Sequence, residues 1–231
     1  LRQNLIYKAY SLLKKKTRFR GGLECRVHKR IPFGAGLGGA SSDCAATLKA
    51  VNSLFSLQID KYDLMKTGSM LGADVPLFVQ SYNTALGIEK GDTLIDLGKY
   101  PAFFVLLIVF QTQLATRSVY SKVRYSNDFQ INLTKIHREV IMLSQFLSNE
   151  KIVSRDSLLK NDLSRVAFSL LPEISEVIKV LKRKYTCACE MTGSGSTVFA
   201  LFNSRERAQQ AQKELRSYTG IKATLLCRTL H

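Results

Sequence analysis

Between Phe33 and Ala40 the chain reads Phe-Gly-Ala-Gly-Leu-Gly-Gly-Ala, placing Gly34, Gly36, Gly38 and Gly39 within six positions. Residues Leu23 to Ile31 ahead of it alternate and end at Pro32, which cannot donate to a ladder, so a strand running into a loop is predicted. Behind it, Cys44, Leu48, Val51 and Phe55 fall on one helical face. The order is strand, glycine loop, helix. Glycines let the backbone approach a ligand closely, and a helix opening directly after them points free N–H groups and its positive dipole end at whatever fills the loop. A phosphate is the natural occupant.

Two common phosphate loops do not fit. No Lys-Ser or Lys-Thr pair follows the last glycine, so this is not a P-loop, and the amides with the Ser41 and Ser42 hydroxyls must hold the phosphates, with Lys29 and Arg30 adding charge nearby. The segment Gly34 to Gly39 also satisfies G-x-G-x-x-G, with Asp60 near the distance of a ribose-binding acid. Pro32 interrupts the strand end, however, and the repeated βαβ units of a dinucleotide fold are not predicted.

At 231 residues the chain can bury one large core or two small ones, and 45% hydrophobic with 23% charged residues is ordinary for a globular protein. The longest apolar run, Phe103 to Phe110, is far short of the roughly 20 residues needed to span a bilayer as a helix. No apolar signal segment follows Leu1, and the absence of an initial Met suggests an incomplete start. Cys25, Cys44, Cys187, Cys189 and Cys227 are scattered among apolar residues, unlike a disulfide framework, which points to a reducing cytoplasm. Cys187 and Cys189 lack a second ligand pair at metal spacing, and alternation along a strand explains them better. The net charge of +16 favours polyanionic partners. Its densest cluster, Lys14 to Arg20, looks like the solvated end of a helix over Tyr7 to Leu13, and no aromatic residues interleave it as a nucleic-acid platform would require.

A short helix is predicted around Lys61 to Met70, ending at Gly72, after which Ala73-Asp74-Val75-Pro76 should re-enter extended chain because the residue before proline disfavours the α region. Phe78 to Leu97 reads as short strands broken by Asn83, Gly87 and Gly91-Asp92. A buried strand over Phe103 to Val109 follows, then helical patterns near Ser118 to Lys122, Leu133 to Leu147, Ser157 to Phe168 and Glu173 to Lys184. Strands at Thr186 to Met191 and Thr197 to Phe202, a helix over Arg205 to Tyr218 and a strand over Ile221 to Arg228 complete a β-α-β-β-α-β order, the split βαβ pattern of a ferredoxin-like domain.

Two further segments are chemically suggestive. Asp74 can cap a turn or, given a phosphate loop upstream, serve as base for a substrate hydroxyl. Gly193-Ser194-Gly195-Ser196 can be an ordinary hairpin or a second loop approaching bound phosphates.

Together these segments resemble a known family. Ile31 to Asp43 is similar to the ATP-binding second motif of the GHMP kinases, the galactokinase, homoserine kinase, mevalonate kinase and phosphomevalonate kinase superfamily, and Met191 to Ala200 is similar to its third motif. Asn4-Leu5-Ile6, Leu71 to Pro76, Thr116 to Tyr120 and Asn161-Asp162-Leu163 resemble the branch acting on 4-diphosphocytidyl-2-C-methyl-D-erythritol. The resemblance implies an α+β, two-domain fold: residues 1–100 form an N-terminal ribosomal-protein-S5-domain-2-like, ATP-binding domain, incomplete at its first strands, and residues 101–231 form the ferredoxin-like C-terminal domain. The active site is expected in the cleft between them.

It further implies ATP-dependent phosphorylation of the 2-hydroxyl of that small-molecule substrate in the non-mevalonate isoprenoid pathway, with Asp74 matching the catalytic base. Pro32, Gly34, Gly36, Leu37, Gly38, Gly39, Ser41 and Ser42 would hold the triphosphate, and Asn4 and Lys29 would flank the adenine. Thr116, Gly193, Ser194, Gly195 and Ser196 would lie near the transferring phosphate and the substrate. Magnesium is expected with the nucleotide rather than on a dedicated protein site. The family's first motif, a lysine partnering the catalytic aspartate and a Tyr-His pair holding the cytosine, normally lies upstream of where this sequence begins, and Ser196 stands where the family usually has proline. The alternatives are another GHMP small-molecule kinase and a catalytically impaired, basic nucleic-acid-binding protein of the same fold. Oligomeric state is not readable from the sequence.

Overall fold

The computed structural model describes residues 3–123, 133–148 and 159–230. These divide into two compact units, Leu1–Phe33 with Gly38–Lys99, and Gly34–Leu37 with Tyr100–His231.

The first unit holds helices α1 (Leu5–Thr17), α2 (Gly39–Leu54), α3 (Lys61–Ser69) and α4 (Val75–Gln80), then the antiparallel hairpin of β1 (Ala85–Ile88) and β2 (Thr93–Asp96). The apolar face of α2 read from the sequence is the centre of its core: Cys44, Leu48 and Val51 are fully buried, packed with Ala9 and Leu13 of α1, Leu64 of α3 and Val75 and Val79 of α4. Phe55 stacks on Phe19 with ring centroids 4.1 Å apart and closes one end of this core. Burial pushes the Cys44 thiol up to about 11, so it is an inert apolar filler rather than a nucleophile. The lysines ending α1 sit in its last turn, where cations complement the helix dipole; Lys14 donates to the Gly21 carbonyl oxygen and Lys16 to Thr67 Oγ1.

Three local expectations are corrected here. Leu23 to Ile31 forms no strand: alternation fixes which side chains can share a face, but a strand exists only with a hydrogen-bonded neighbour, and none pairs with it among the described residues. Val27 and Ile31 accordingly remain exposed. Asp74-Val75-Pro76 does not re-enter extended chain; it opens α4, with Pro76 in the first turn, where its missing N–H and fixed φ are harmless. Phe78 is therefore helical, and Gly87 lies inside β1, where a Cβ would come within 3.2 Å of the Gly91 backbone across the hairpin.

The second unit holds β3 (Phe104–Phe110), α5 (Thr116–Tyr120), α6 (Leu133–Ser148), α7 (Ser164–Leu170), α8 (Glu173–Tyr185), β4 (Ala188–Met191), β5 (Val198–Phe202), α9 (Arg205–Leu215) and β6 (Ile221–Arg228). The sheet order is β4-β5-β3-β6 with every pairing antiparallel, the arrangement that the split βαβ reading requires. The fold is α+β. Residues 157 and 158 of the predicted Ser157 to Phe168 helix lie outside the described residues, and α7 begins at Ser164, leaving Asn161-Asp162-Leu163 as an irregular lead-in.

Helices α8 and α9 bury Ile174, Val177, Ile178, Leu181, Ala208, Ala211 and Leu215 against Leu106, Ile108, Val198 and Ala200 of the sheet. Cys187 and Cys189 point into the same core, where their thiols reach the Leu181 and Ile178 carbonyl oxygens at 3.6 and 3.8 Å. At the end of α8, Tyr185 donates to Glu214, which Lys184 also binds; burial, with that carboxylate beside it, pushes the Tyr185 phenol up to about 12.

Leu106 is fully buried on the central strand β3, whereas Leu54 is 68% exposed. Leu106→Ala should cost about 2–5 kcal/mol by urea unfolding, and Leu54→Ala less than about 0.5 kcal/mol. Equal effects would mean that this sheet face is not the core.

Candidate active site

In the first unit, Gly38 is the N-cap of α2 with φ +65 and ψ +10, and no side chain caps the helix. The first helical bond runs from the Ser42 N–H to the Gly38 carbonyl oxygen. The amides of Gly39, Ala40 and Ser41 are the first-turn donors that the helix itself cannot satisfy, at the positive end of its dipole. Both glycines that lead into α2 are closely packed, and Gly38 lies in the left-handed region. A Cβ on Gly38 would lie 3.0 Å from the Phe78 ring, and one on Gly39 would lie 3.1 Å from Ile31 and 3.5 Å from Lys29 Nζ. Lys29 ion-pairs with Asp43 of α2, which anchors its ammonium group beside Gly39. Ser41 and Ser42 are half-buried on the same turn, and Pro32 is half-buried just before the loop.

Asp74 is exposed at the start of α4 with φ −79 and ψ −13. Its side chain makes no capping bond to α4, so the turn-capping alternative does not describe this carboxylate. Asn4 is engaged differently: its side-chain oxygen accepts the Ile6 N–H at 2.9 Å and caps α1.

In the second unit, which includes Gly34 to Leu37, Gly36 meets the turn between β4 and β5, and a Cβ on Gly34 would lie 3.0 Å from Gln113 Oε1. Thr192 Oγ1 donates to the Gly36 carbonyl oxygen at 2.9 Å. A Cβ on Gly36 would lie 2.6 Å from the Thr192 carbonyl oxygen and 3.3 Å from that of Gly195, and Gly36 has φ +70, so only glycine fits. The turn is closed by Thr192 N–H to the Thr197 oxygen at 2.9 Å and by Gly195 N–H to the Thr192 oxygen at 3.0 Å. Ser194 shares a 2.9 Å hydroxyl contact with Thr116 at the start of α5, and Ser196 donates to the Thr112 carbonyl oxygen at 2.7 Å. Leu37 is half-buried beside Gly36.

Beside this turn lies a cavity of about 610 Å³ whose walls include Tyr120, Leu143, Asn161, Glu190, Gly193 and Phe199. The Tyr120 ring is 53% exposed. Glu190 Oε1 accepts from Ser164 Oγ at 2.7 Å and from the Met191 N–H at 2.8 Å. The sequence places Gly34 and Gly36 with residues 1–100 and Thr116 and Gly193 to Ser196 with residues 101–231, whereas Gly34 to Leu37 pack in the second unit, and it gives no role to Thr192, Tyr120, Glu190 or Asn161. The signal for Thr192 was its place directly before the glycines; nothing in the spacing pairs it with a carbonyl 156 residues away.

Comparison with known proteins is consistent from end to end. The family "GHMP kinases N terminal domain" matches residues 4–82, and "GHMP kinases C terminal" matches residues 144–220. The chain belongs to the GHMP kinase family. This GHMP kinase is 33% identical over 216 residues to the 4-diphosphocytidyl-2-C-methyl-D-erythritol kinase of Thermodesulfovibrio yellowstonii, covering 93% of this chain and 74% of that one. It is 37% identical over 194 residues to the enzyme of the same name from Pelobacter propionicus, covering 84% of this chain and 65% of the relative. A crystal structure of 4-(cytidine 5'-diphospho)-2C-methyl-D-erythritol kinase matches with a TM-score of 0.78 at 31% identity, over 98% of this chain and 78% of that one. Among the described residues, no helix is long and apolar enough to cross a membrane.

Gly98 has a similar φ of +80, yet a Cβ there would meet nothing within 4 Å. In this GHMP kinase, Gly36→Ala should therefore lower the thermal midpoint by several degrees more than Gly98→Ala, since only the first adds a steric clash to the left-handed backbone penalty of about 1–2 kcal/mol. Equal shifts in a thermal melt would show that the Gly36–Thr192 contact does not form.

Proposed function

We propose that this chain phosphorylates the 2-hydroxyl of 4-diphosphocytidyl-2-C-methyl-D-erythritol with ATP, a step of the non-mevalonate route to isoprenoids. The observation that supports this best is the glycine-bounded start of α2, with three unspent amides, in a chain about one-third identical to kinases of that name. Residues 1–100 would carry the nucleotide-binding function and residues 101–231 the second glycine turn. Free cysteines at 25, 44, 187, 189 and 227 fit a reducing cytoplasm.

The nucleotide's phosphates would lie on the Gly39, Ala40 and Ser41 amides and the Ser41 and Ser42 hydroxyls, with Gly34, Gly36, Leu37 and Gly38 letting the backbone come close and Pro32 fixing the entry of the chain. Lys29 would bring an ammonium group, held by Asp43, to that turn, and Asn4 and the Lys29 segment would flank the adenine. Magnesium would be carried by the phosphates, with hard oxygen donors available from the Ser41 and Ser42 hydroxyls. When bound, it neutralises developing charge on the phosphates.

Asp74 would accept the proton of the substrate's 2-hydroxyl. That oxygen forms the new bond to the γ-phosphorus as the bond to the β-phosphate oxygen breaks, and ADP leaves with the electron pair. An uncapped carboxylate suits this role because its lone pairs are not committed to α4. Thr116, Ser194 and Ser196 offer hydroxyls, and Gly193 and Gly195 offer amides, for the transferring phosphate. Tyr120 presents an open ring to the adjoining cavity, a surface on which a nucleobase can stack.

Asp74→Asn keeps the shape and removes the base. It should lower kcat by about 10²–10⁴ while leaving the Kd for ATP within a few fold. Full turnover by that variant in a coupled ADP-release assay would remove Asp74 from the chemistry.

A further inference from the structure

The backbone of the turn between β4 and β5 is gripped from outside by the Asn161 side chain. Asn161 Nδ2 donates to the Met191 carbonyl oxygen at 2.9 Å and to the Gly193 carbonyl oxygen at 2.7 Å, while its Oδ1 accepts the Leu163 N–H at 3.0 Å. All the donors and the acceptor of one carboxamide are thereby used, and they fix its orientation: the nitrogen must face the turn and the oxygen must face α7. The two carbonyls it grips lie at the last residue of β4 and at a glycine in the left-handed region with φ +55. Gly193 and Gly195 are the flexible positions of this turn, so the Gly193 peptide would rotate readily without an external bond.

Asn161 is itself held. Leu163 is buried in the core of this unit, and Ser164, next along, donates to Glu190, whose same oxygen accepts the Met191 N–H. The segment 161–164 is therefore stitched to residues 190–193 by three bonds, all donated from Asn161 and Ser164.

We propose that Asn161 is a positioning residue for phosphoryl transfer: by holding the Gly193 carbonyl oxygen it sets the direction of the following peptides, and with them the Ser194 hydroxyl and the Gly195 segment. Its carboxamide is spent on the turn and on the Leu163 N–H, so it acts through the turn. This rests on the reading of that turn as phosphate-facing. A substitution that removes the two N–H donors releases the Met191 and Gly193 carbonyl oxygens and loosens that side of the turn, while the bonds from Thr116, Thr192 and Ser196 remain.

The test compares the parent chain with Asn161→Ala and with Asn161→Asp, which keeps the shape and at neutral pH lacks the donors, so that a fold failure in one variant leaves the other. Two readouts are taken at a temperature well below the thermal midpoint: deuterium uptake of the peptide spanning residues 189–197, and kcat and KM for ATP. The expected result is uptake faster by about tenfold or more in that peptide alone, with kcat down about tenfold to a hundredfold and KM within about threefold. Unchanged uptake overturns the clamp, and faster uptake with unchanged kcat overturns the positioning role. A parent chain silent with ATP and substrate counts against the kinase reading, and the uptake measurement still decides the clamp.

Discussion

The arrangement of the second unit depends on one close approach of backbone to backbone. The Gly36 carbonyl oxygen receives the Thr192 hydroxyl, and the Gly36 Cα lies so near the Thr192 and Gly195 oxygens that no side chain fits between them. Two turns far apart in the chain become one polar surface through this contact. Neither could be rigid alone, since glycine turns gain their reach at the cost of conformational entropy. The remaining hydrogen bonds on the turn between β4 and β5, from Asn161, Thr116 and Ser196, restrict what the glycines would otherwise allow.

The first unit meets the same problem with a different device. The loop there enters α2 through Gly38 and Gly39, which pack against Phe78, Ile31 and Lys29, and the first amides of α2 are left without a helical acceptor. Packing of α2 through Cys44, Leu48 and Val51 fixes the axis along which those amides point. Lys29 is tied to Asp43 of α2, so its charge is balanced there and the +16 excess is carried by other residues. Asp74, by contrast, is left free of the helix it starts.

The parts of this structure legible in the sequence are those set by local periodicity. The α2 face, the β3 run and the order of elements after Tyr100 are where the spacing of apolar residues puts them, because helix and strand periods are properties of neighbouring residues. The misreadings share a cause. Leu23 to Ile31 alternates as a strand should, but pairing is a property of two segments, and one segment's sequence does not state whether its neighbour is present. Val75-Pro76 was weighed as a local dihedral restriction, whereas burial of Val75, Pro76 and Val79 against α2 and α3 favours a helix that tolerates proline in its first turn. At the site, the glycines, Thr116 and the turn hydroxyls were visible as residue types; the partners that hold them, Thr192 and Asn161, became visible only when folding brought distant carbonyls within reach.

Phosphoryl transfer by this chain is tested most directly by ³¹P NMR of the protein with MgATP and 4-diphosphocytidyl-2-C-methyl-D-erythritol. The expected result is a new phosphomonoester resonance growing in step with ADP, present only when the alcohol is present. ADP forming equally without the alcohol, or no monoester after many equivalents of enzyme, would contradict the assignment of this site to that reaction.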